Sequence, residues 1–67
     1  MNVLKVIEVL ASSENSWEDA ARNAITTASK SLKGIRSIYI KDQSAAVNEN
    51  KITEYRITCK ITFEVME

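Results

Sequence analysis

The clearest pattern in the chain is a strict alternation of apolar and polar residues near its end. From 55 to 65 every odd position is apolar or aromatic and every even position is polar or charged. Alternation with a period of two is typical of a strand that buries one face. We therefore predict a long strand over 52–66, with the odd positions facing the core.

A second apolar stretch, residues 3–10, is short and rich in β-branched side chains, which favours another strand. Alternating positions give this strand two apolar sides, formed by Leu4, Val6 and Leu10 on one and by Val3, Ile7 and Val9 on the other. The pattern therefore predicts a strand that is covered on both faces.

Between these strands the apolar residues recur at helical spacing. Ser16 is placed to cap a helix, with its hydroxyl accepting from a first-turn amide and Asp19 reaching back. Gly34, the only glycine, is the expected helix stop. The expected buried helix face consists of Trp17, Ala21, Ala24, Ile25, Ala28 and Leu32.

A further strand is predicted over 35–47, although residues 43–46 have low strand propensity. Residues 48–51 form the turn that precedes the last strand. The order is therefore strand, helix, strand, strand, which predicts an α+β domain spanning 1–67. Inserting the last strand between the others makes every pair antiparallel, with strand order 2-3-1 and one helix on the sheet.

Composition changes this picture by pointing to assembly. Ordering 67 residues costs roughly 100 kcal/mol of conformational entropy at about 1.5 kcal/mol each, which so small a core barely offsets. One cysteine and no histidine exclude an internal disulfide and the common structural zinc sites. A homo-oligomer is the remaining way to stabilise the fold, and the side of the first strand formed by Val3, Ile7 and Val9 is the expected subunit contact.

The charge balance and residue content also limit the function. Nine basic and nine acidic residues cancel, so nothing indicates a nucleic-acid partner. No apolar run is long enough to span a bilayer, and Lys5 and Glu8 interrupt the only N-terminal apolar stretch, so we expect a cytoplasmic protein. Without histidine there is no familiar acid–base or nucleophile pair, and Cys59 lies in the inward row of a strand. We expect no enzymatic activity.

Two features are candidates for binding, and a third is a candidate for acid–base chemistry. Trp17 could stack on a planar ligand or anchor a subunit contact. Residues 42–50 are rich in side-chain oxygens, which suit a hard cation such as calcium but are equally typical of a solvated hairpin tip. Glu18 and Asp19 could form a carboxylate pair, although capping of the helix explains them better.

Laid end to end, the chain resembles the dodecins, small proteins that assemble as hollow homododecamers. The resemblance rests on KVIEVLASSENSWEDAARNAI, on SLKGIRSI and on YRITCKITFEV, and it covers essentially the whole chain. It implies a sheet wrapped around one helix. It also implies the assembly that the small size of the chain requires.

The resemblance also locates the family's flavin pocket and indicates that it is degenerate here. Flavin-binding dodecins stack the isoalloxazine ring on a tryptophan at the start of the second strand, where this chain has Ser37. They also use a glutamine after the aromatic residue of the last strand, where this chain has Arg56 following Tyr55. A serine offers no ring, and a guanidinium donates hydrogen bonds but cannot accept them.

The combination of IRSIYIKDQSAAV with ITEYRITCKITF is similar to the flavin-less, calcium-binding branch of the family. It implies a small-ligand or cation-binding shell, with calcium as the first candidate. Asp42 and Glu49 are the candidate ligands, because carboxylates bind hard cations and both residues lie in an expected inter-strand region. Arg56 and Lys60 would either form a positive patch for an anionic ligand or pair with Glu54 and Glu64. The alternatives are a flavin-storing dodecin with a rearranged site and an interaction module without a small ligand.

Overall fold

A computed structural model describes residues 3–65 and shows the predicted order of elements. They are strand β1 (Leu4–Ser13), helix α1 (Trp17–Ala28), strand β2 (Ile35–Asn48) and strand β3 (Lys51–Glu64). The sheet order is β1-β3-β2, and β3 pairs antiparallel with both neighbours. The predicted fold class and strand order are therefore confirmed, while the predicted last strand residue, Met66, lies outside the described residues.

The core lies between α1 and the central strand. Ile57, Cys59 and Ile61 of β3 are buried, as the alternation predicted, and they meet Ala20 and Ala24 of α1. Alanine has a short side chain, so the helix backbone can lie close to the sheet. Burying each isoleucine contributes about 1.5–3 kcal/mol, so Ile57 and Ile61 are a large part of the apolar stabilisation.

Helix α1 begins as predicted but ends earlier. The Ser16 hydroxyl accepts from the Asp19 amide at 2.9 Å, and the helix ends at Ala28 with Ser29 as its cap. The prediction that Gly34 stops the helix is wrong. Gly34 adopts φ +75° at the approach to β2, where its carbonyl accepts from the Glu64 amide at 2.9 Å. No helix within residues 3–65 has both the length and the apolar character needed to cross a bilayer.

Strand β1 is longer than predicted, and its buried side is the opposite of the one expected. Ile7 lies opposite Ile61 and Val9 opposite Cys59, so both pack against the core. The prediction that this side forms an uncovered contact is wrong. The side that lacks cover within the chain is instead formed by Leu4, Val6 and Leu10, with exposures of 55%, 52% and 79%. Because both sides are apolar, only pairing with β3 could decide which faces the helix.

Strands β2 and β3 form a long hairpin that extends beyond β1. Pairing of β1 with β3 ends at Ser13 and Tyr55, so the tip is two-stranded. Glu49 and Asn50 occupy the turn with φ +52° and +64°. These signs match a two-residue type I′ turn, whose twist suits antiparallel strands. Pairing with β3 also keeps residues 43–46 extended despite their low strand propensity.

Candidate functional site

The sheet has two chemically different faces. The inner face packs against α1 and is apolar, whereas the outer face, on the opposite side of the sheet, carries the polar positions of β3. Arg56, Asp42 and Ser37 all occupy outer-face rows, since their partners on β3 or β2 alternate with the buried residues. The candidate ligand chemistry of the chain is therefore concentrated on the outer face.

Within one chain, the two residues aligned with the flavin pocket are far apart. Ser37 pairs with Thr62, whereas Arg56 pairs with Ser44. The six positions from Arg56 to Thr62 correspond to about 20 Å along the strand. A single chain therefore does not bring Ser37 and Arg56 into one pocket, and a ligand that touched both positions would need a second copy.

Arg56 lies in a groove of the outer face with a volume of about 400 Å³. Its Nε donates to Glu54 Oε1 at 2.6 Å, and Ser12 and Ser44 lie directly opposite it on the two neighbouring strands. Leu10 and Thr58 occupy the next row. Arg56 thus pairs with Glu54 along its own strand rather than across strands, in a groove that also contains hydroxyl groups and one exposed leucine.

The two candidate calcium ligands are also separated. Asp42 pairs with Thr58, in the outer-face row next to Arg56, whereas Glu49 lies in the hairpin turn. Seven residues of extended chain between them correspond to about 20 Å. Among residues 3–65, no three histidine, cysteine or carboxylate side chains lie close enough together to hold a metal ion.

The remaining outer-face charges form cross-strand pairs. Lys41 of β2 contacts Glu8 of β1, with Nζ and Oε1 3.7 Å apart. Lys60 lies opposite Glu8 across the β1–β3 pairing. At the far end of the sheet Arg36 pairs with Glu64. These pairs bring charges of opposite sign together on the outer face.

Trp17 is engaged within its own chain. Its Nε1 donates to the Ser44 carbonyl oxygen at 2.8 Å, and its ring meets Tyr55 edge-on with centroids 4.9 Å apart. The indole therefore joins the start of α1 to both hairpin strands. This contact accounts for the residue structurally, and it places the ring on the inner side of the sheet, away from Arg56.

The loop from β1 to α1 is held by a cluster around Asp19. The Asp19 carboxylate accepts from the Ser13 hydroxyl at 2.6 Å and from Asn15 Nδ2 at 3.4 Å, rather than reaching back to the cap residue as predicted. These hydrogen bonds hold the pKa of the carboxyl below its usual 3.8, and the bond from Ser13 has the largest effect. Glu18 lies 3.8 Å from Arg22 instead, so the two carboxylates do not act as a pair.

Cys59 lies in the buried row of β3 and has no disulfide partner. Burial raises the pKa of its thiol, which reduces the thiolate fraction at neutral pH. A protonated thiol without access to solvent is a poor nucleophile. The residue fills the core as a small apolar side chain, in line with the interpretation of the alternating pattern.

Sequence reasoning missed the hydroxyl residues that flank Arg56. Ser12 follows the apolar run of β1, and Ser44 lies in a stretch of low strand propensity. Between the hairpin turn and Ser44, the irregularity between Ala46 and Val47 shifts the register by one residue, so counting along the sequence could not place Ser44 opposite Arg56. The only available signal was the alternation of β3, which put Arg56 itself on the outer face.

Comparison with known proteins relates this architecture to one family. The dodecin family model matches residues 3–66. The calcium dodecin of Mycobacterium tuberculosis is 35% identical over 65 residues, covering 97% of this chain and 92% of that protein.

Solved structures agree with this relation. The crystal structure of that calcium dodecin, described as a calcium-chelating antigen with a novel calcium-binding site, is 37% identical, with a TM-score of 0.82. The match covers 96% of this chain and 91% of that one. A variant of the Thermus thermophilus dodecin is 25% identical, with a TM-score of 0.95 and full coverage of both chains. With its helix lying on a three-stranded antiparallel sheet, this chain belongs to the dodecin family.

Proposed function

We propose that the protein is a non-enzymatic binding and storage protein that assembles as a hollow homododecamer and holds calcium or a small ligand. The observation that carries this proposal is the 35% identity to a calcium dodecin over 97% of the chain. The distribution of ligand-type residues over the outer face supports it. The cytoplasm remains the predicted location.

The exposed side of β1 supports assembly. Leu4 and Val6 project from the outer face near the start of β1, away from Arg56, with about half of their surface exposed. Covering these side chains would contribute about 25 cal/mol for each Å² removed from water. A chain of 67 residues gains much of its missing stability by such contacts with other copies.

A calcium site in this protein would need more than one chain. Calcium takes six to eight oxygen ligands, and the described residues of one chain contain no cluster of three suitable groups. Asp42 and Glu49 are the proposed ligands, each contributed to a site between copies. Sites of this kind would link calcium binding to assembly, because the ligands meet only in the oligomer.

Flavin storage is the second candidate function. It is favoured by the match of the dodecin family model over residues 3–66, since the flavin-binding dodecins share this fold. It is disfavoured by Ser37, which supplies no aromatic surface, and by Arg56, which cannot accept a hydrogen bond from the flavin ring. A flavin would therefore need a different set of contacts in this protein.

Native mass spectrometry of the untreated protein, followed by calorimetry with calcium, tests these functions. We expect the mass spectrum to show twelve copies and calorimetry to show saturable calcium binding. Asp42→Asn or Glu49→Gln should lower the calcium affinity at least about tenfold. Glu18→Gln is the matched control, since Glu18 lies on α1 and contacts only Arg22 among the charged residues described. A monomer would contradict the assembly. Absence of calcium heat together with quenching of added riboflavin fluorescence would favour the second candidate.

A further inference from the structure

The groove around Arg56 has the chemistry of a site for an organic anion. We propose that it binds a small molecule that carries a carboxylate or phosphate group on an apolar body. This inference rests on the proposed ligand-binding function and names the class of ligand. It is separate from the calcium ligands, because it depends on Arg56 rather than on Asp42 and Glu49.

The guanidinium of Arg56 is held in place while part of it stays available. Its Nε donates to Glu54 Oε1 at 2.6 Å, and within residues 3–65 neither terminal nitrogen has a hydrogen-bond partner. The side chain is 58% exposed, so a ligand can reach it. Two adjacent N–H donors on one planar group match the two oxygens of a carboxylate or phosphate. Glu54 therefore orients the Arg56 guanidinium and leaves the N–H groups of its terminal nitrogens available to a ligand.

Hydroxyl groups flank this fork on both sides. Ser12 of β1 and Ser44 of β2 pair with Arg56 across the sheet, and Thr58 lies in the next row. Within the described part of the chain, none of the three side-chain hydroxyls bonds to another residue. Each can donate to an anion oxygen that the guanidinium has bound.

The same groove contains a surface for an apolar group. Leu10 lines it and is 79% exposed, the highest exposure among the large apolar residues of the described chain. The groove volume of about 400 Å³ is within the range of small-molecule sites, about 300–1,000 Å³. Arg56 and Glu54 carry opposite charges, so the groove has no net charge. Selectivity for anions would therefore come from the geometry of the donors and not from a broad positive field.

Calorimetry on the assembled protein tests the inference with four probes: phenyl phosphate, benzoate, inorganic phosphate and neutral benzyl alcohol. We expect phenyl phosphate or benzoate to bind, and which of the two binds more tightly identifies the anion. Inorganic phosphate lacks the apolar body and benzyl alcohol lacks the anionic group, so each should bind at least about tenfold more weakly.

Substitution of Arg56 completes the test. Arg56→Gln should weaken the better probe at least about tenfold, and Arg56→Lys should weaken it less, because the charge stays while the planar fork is lost. Arg36→Gln is the control, since Arg36 on β2 also pairs with a carboxylate, that of Glu64, but lies outside the groove. Equal affinity in the parent and in Arg56→Gln would overturn the proposal, as would no saturable heat from either aromatic anion up to about 10 mM.

Calcium heat measured on the same proteins separates this inference from the proposed function. Arg56→Gln should retain saturable calcium binding, because it alters no calcium ligand. If the parent protein binds an aromatic anion but gives no calcium heat, the calcium proposal alone is contradicted. Failure of the anion probes alongside normal calcium heat would refute the groove assignment alone.

Discussion

The contact between Trp17 and the hairpin permits a quantitative test of how α1 is fixed to the sheet. The indole Nε1 donates to the Ser44 carbonyl at 2.8 Å, and the ring meets Tyr55 at a centroid distance of 4.9 Å and an interplanar angle of 78°. Trp17→Phe removes the donor but keeps a ring. We expect it to lower the free energy of unfolding by about 0.5–1 kcal/mol, because water can replace the donor at this exposed bond.

The aromatic contact is a separate contribution. Edge-to-face pairs are worth about 0.5–1.5 kcal/mol beyond the area that they bury. Trp17→Leu and Tyr55→Leu, with the double variant, form a double-mutant cycle that isolates this energy. We expect a coupling of about 1 kcal/mol between Trp17 and Tyr55.

The assay is guanidinium unfolding followed by far-UV circular dichroism, because Trp17 is the only tryptophan and its loss removes the fluorescence probe. All variants are compared at one protein concentration, since the stability of an oligomer depends on concentration. Tyr39 provides the control cycle: it is 65% exposed on the outer face, so Trp17→Leu and Tyr39→Leu should be additive. A Trp17–Tyr55 coupling no larger than that of the control would refute the role assigned to this contact.

Three further predictions follow from single residues. The folded-state pKa of Asp19 lies below 3.8, so the ionised carboxylate stabilises the fold above pH 3.8, and this contribution is lost as pH falls through the folded pKa. Asp19→Asn should therefore lower the free energy of unfolding at pH 7. Unfolding measured as a function of pH should show the stability difference between parent and variant narrowing below pH 3.8. Cys59 should resist a thiol reagent at neutral pH in the native protein and react once per chain in guanidinium, and rapid native labelling would contradict its burial. Glu49→Gly should stabilise the fold by about 1 kcal/mol and raise its melting temperature, because the backbone φ of +52° is unfavourable for a residue with a side chain. Asn50→Gly should stabilise the fold less, since asparagine tolerates positive φ. A lower melting temperature for Glu49→Gly would contradict this account of the turn.

The candidate site was only partly accessible from the sequence. Alternation along β3 put Arg56 on a polar face, and its pairing with Glu54 was one of two expected outcomes. The positions of Ser12 and Ser44 beside it follow from strand register. For Ser44, the irregularity between Ala46 and Val47 makes that register impossible to count from the sequence. Register is a property of hydrogen bonding between strands that are distant along the chain.

The amino-acid pattern alone determined the order of the elements, the antiparallel topology and the buried row of Ile57, Cys59 and Ile61, because a period of two with one apolar side has only one way to meet a core. It did not determine where α1 ends or which side of β1 is buried. Local propensities near Ser29 are weak, and both sides of β1 are apolar, so the sequence is equally compatible with either orientation. Packing of β1 against β3 decided the matter, by turning Ile7 and Val9 toward the helix and leaving Leu10 on the outer face.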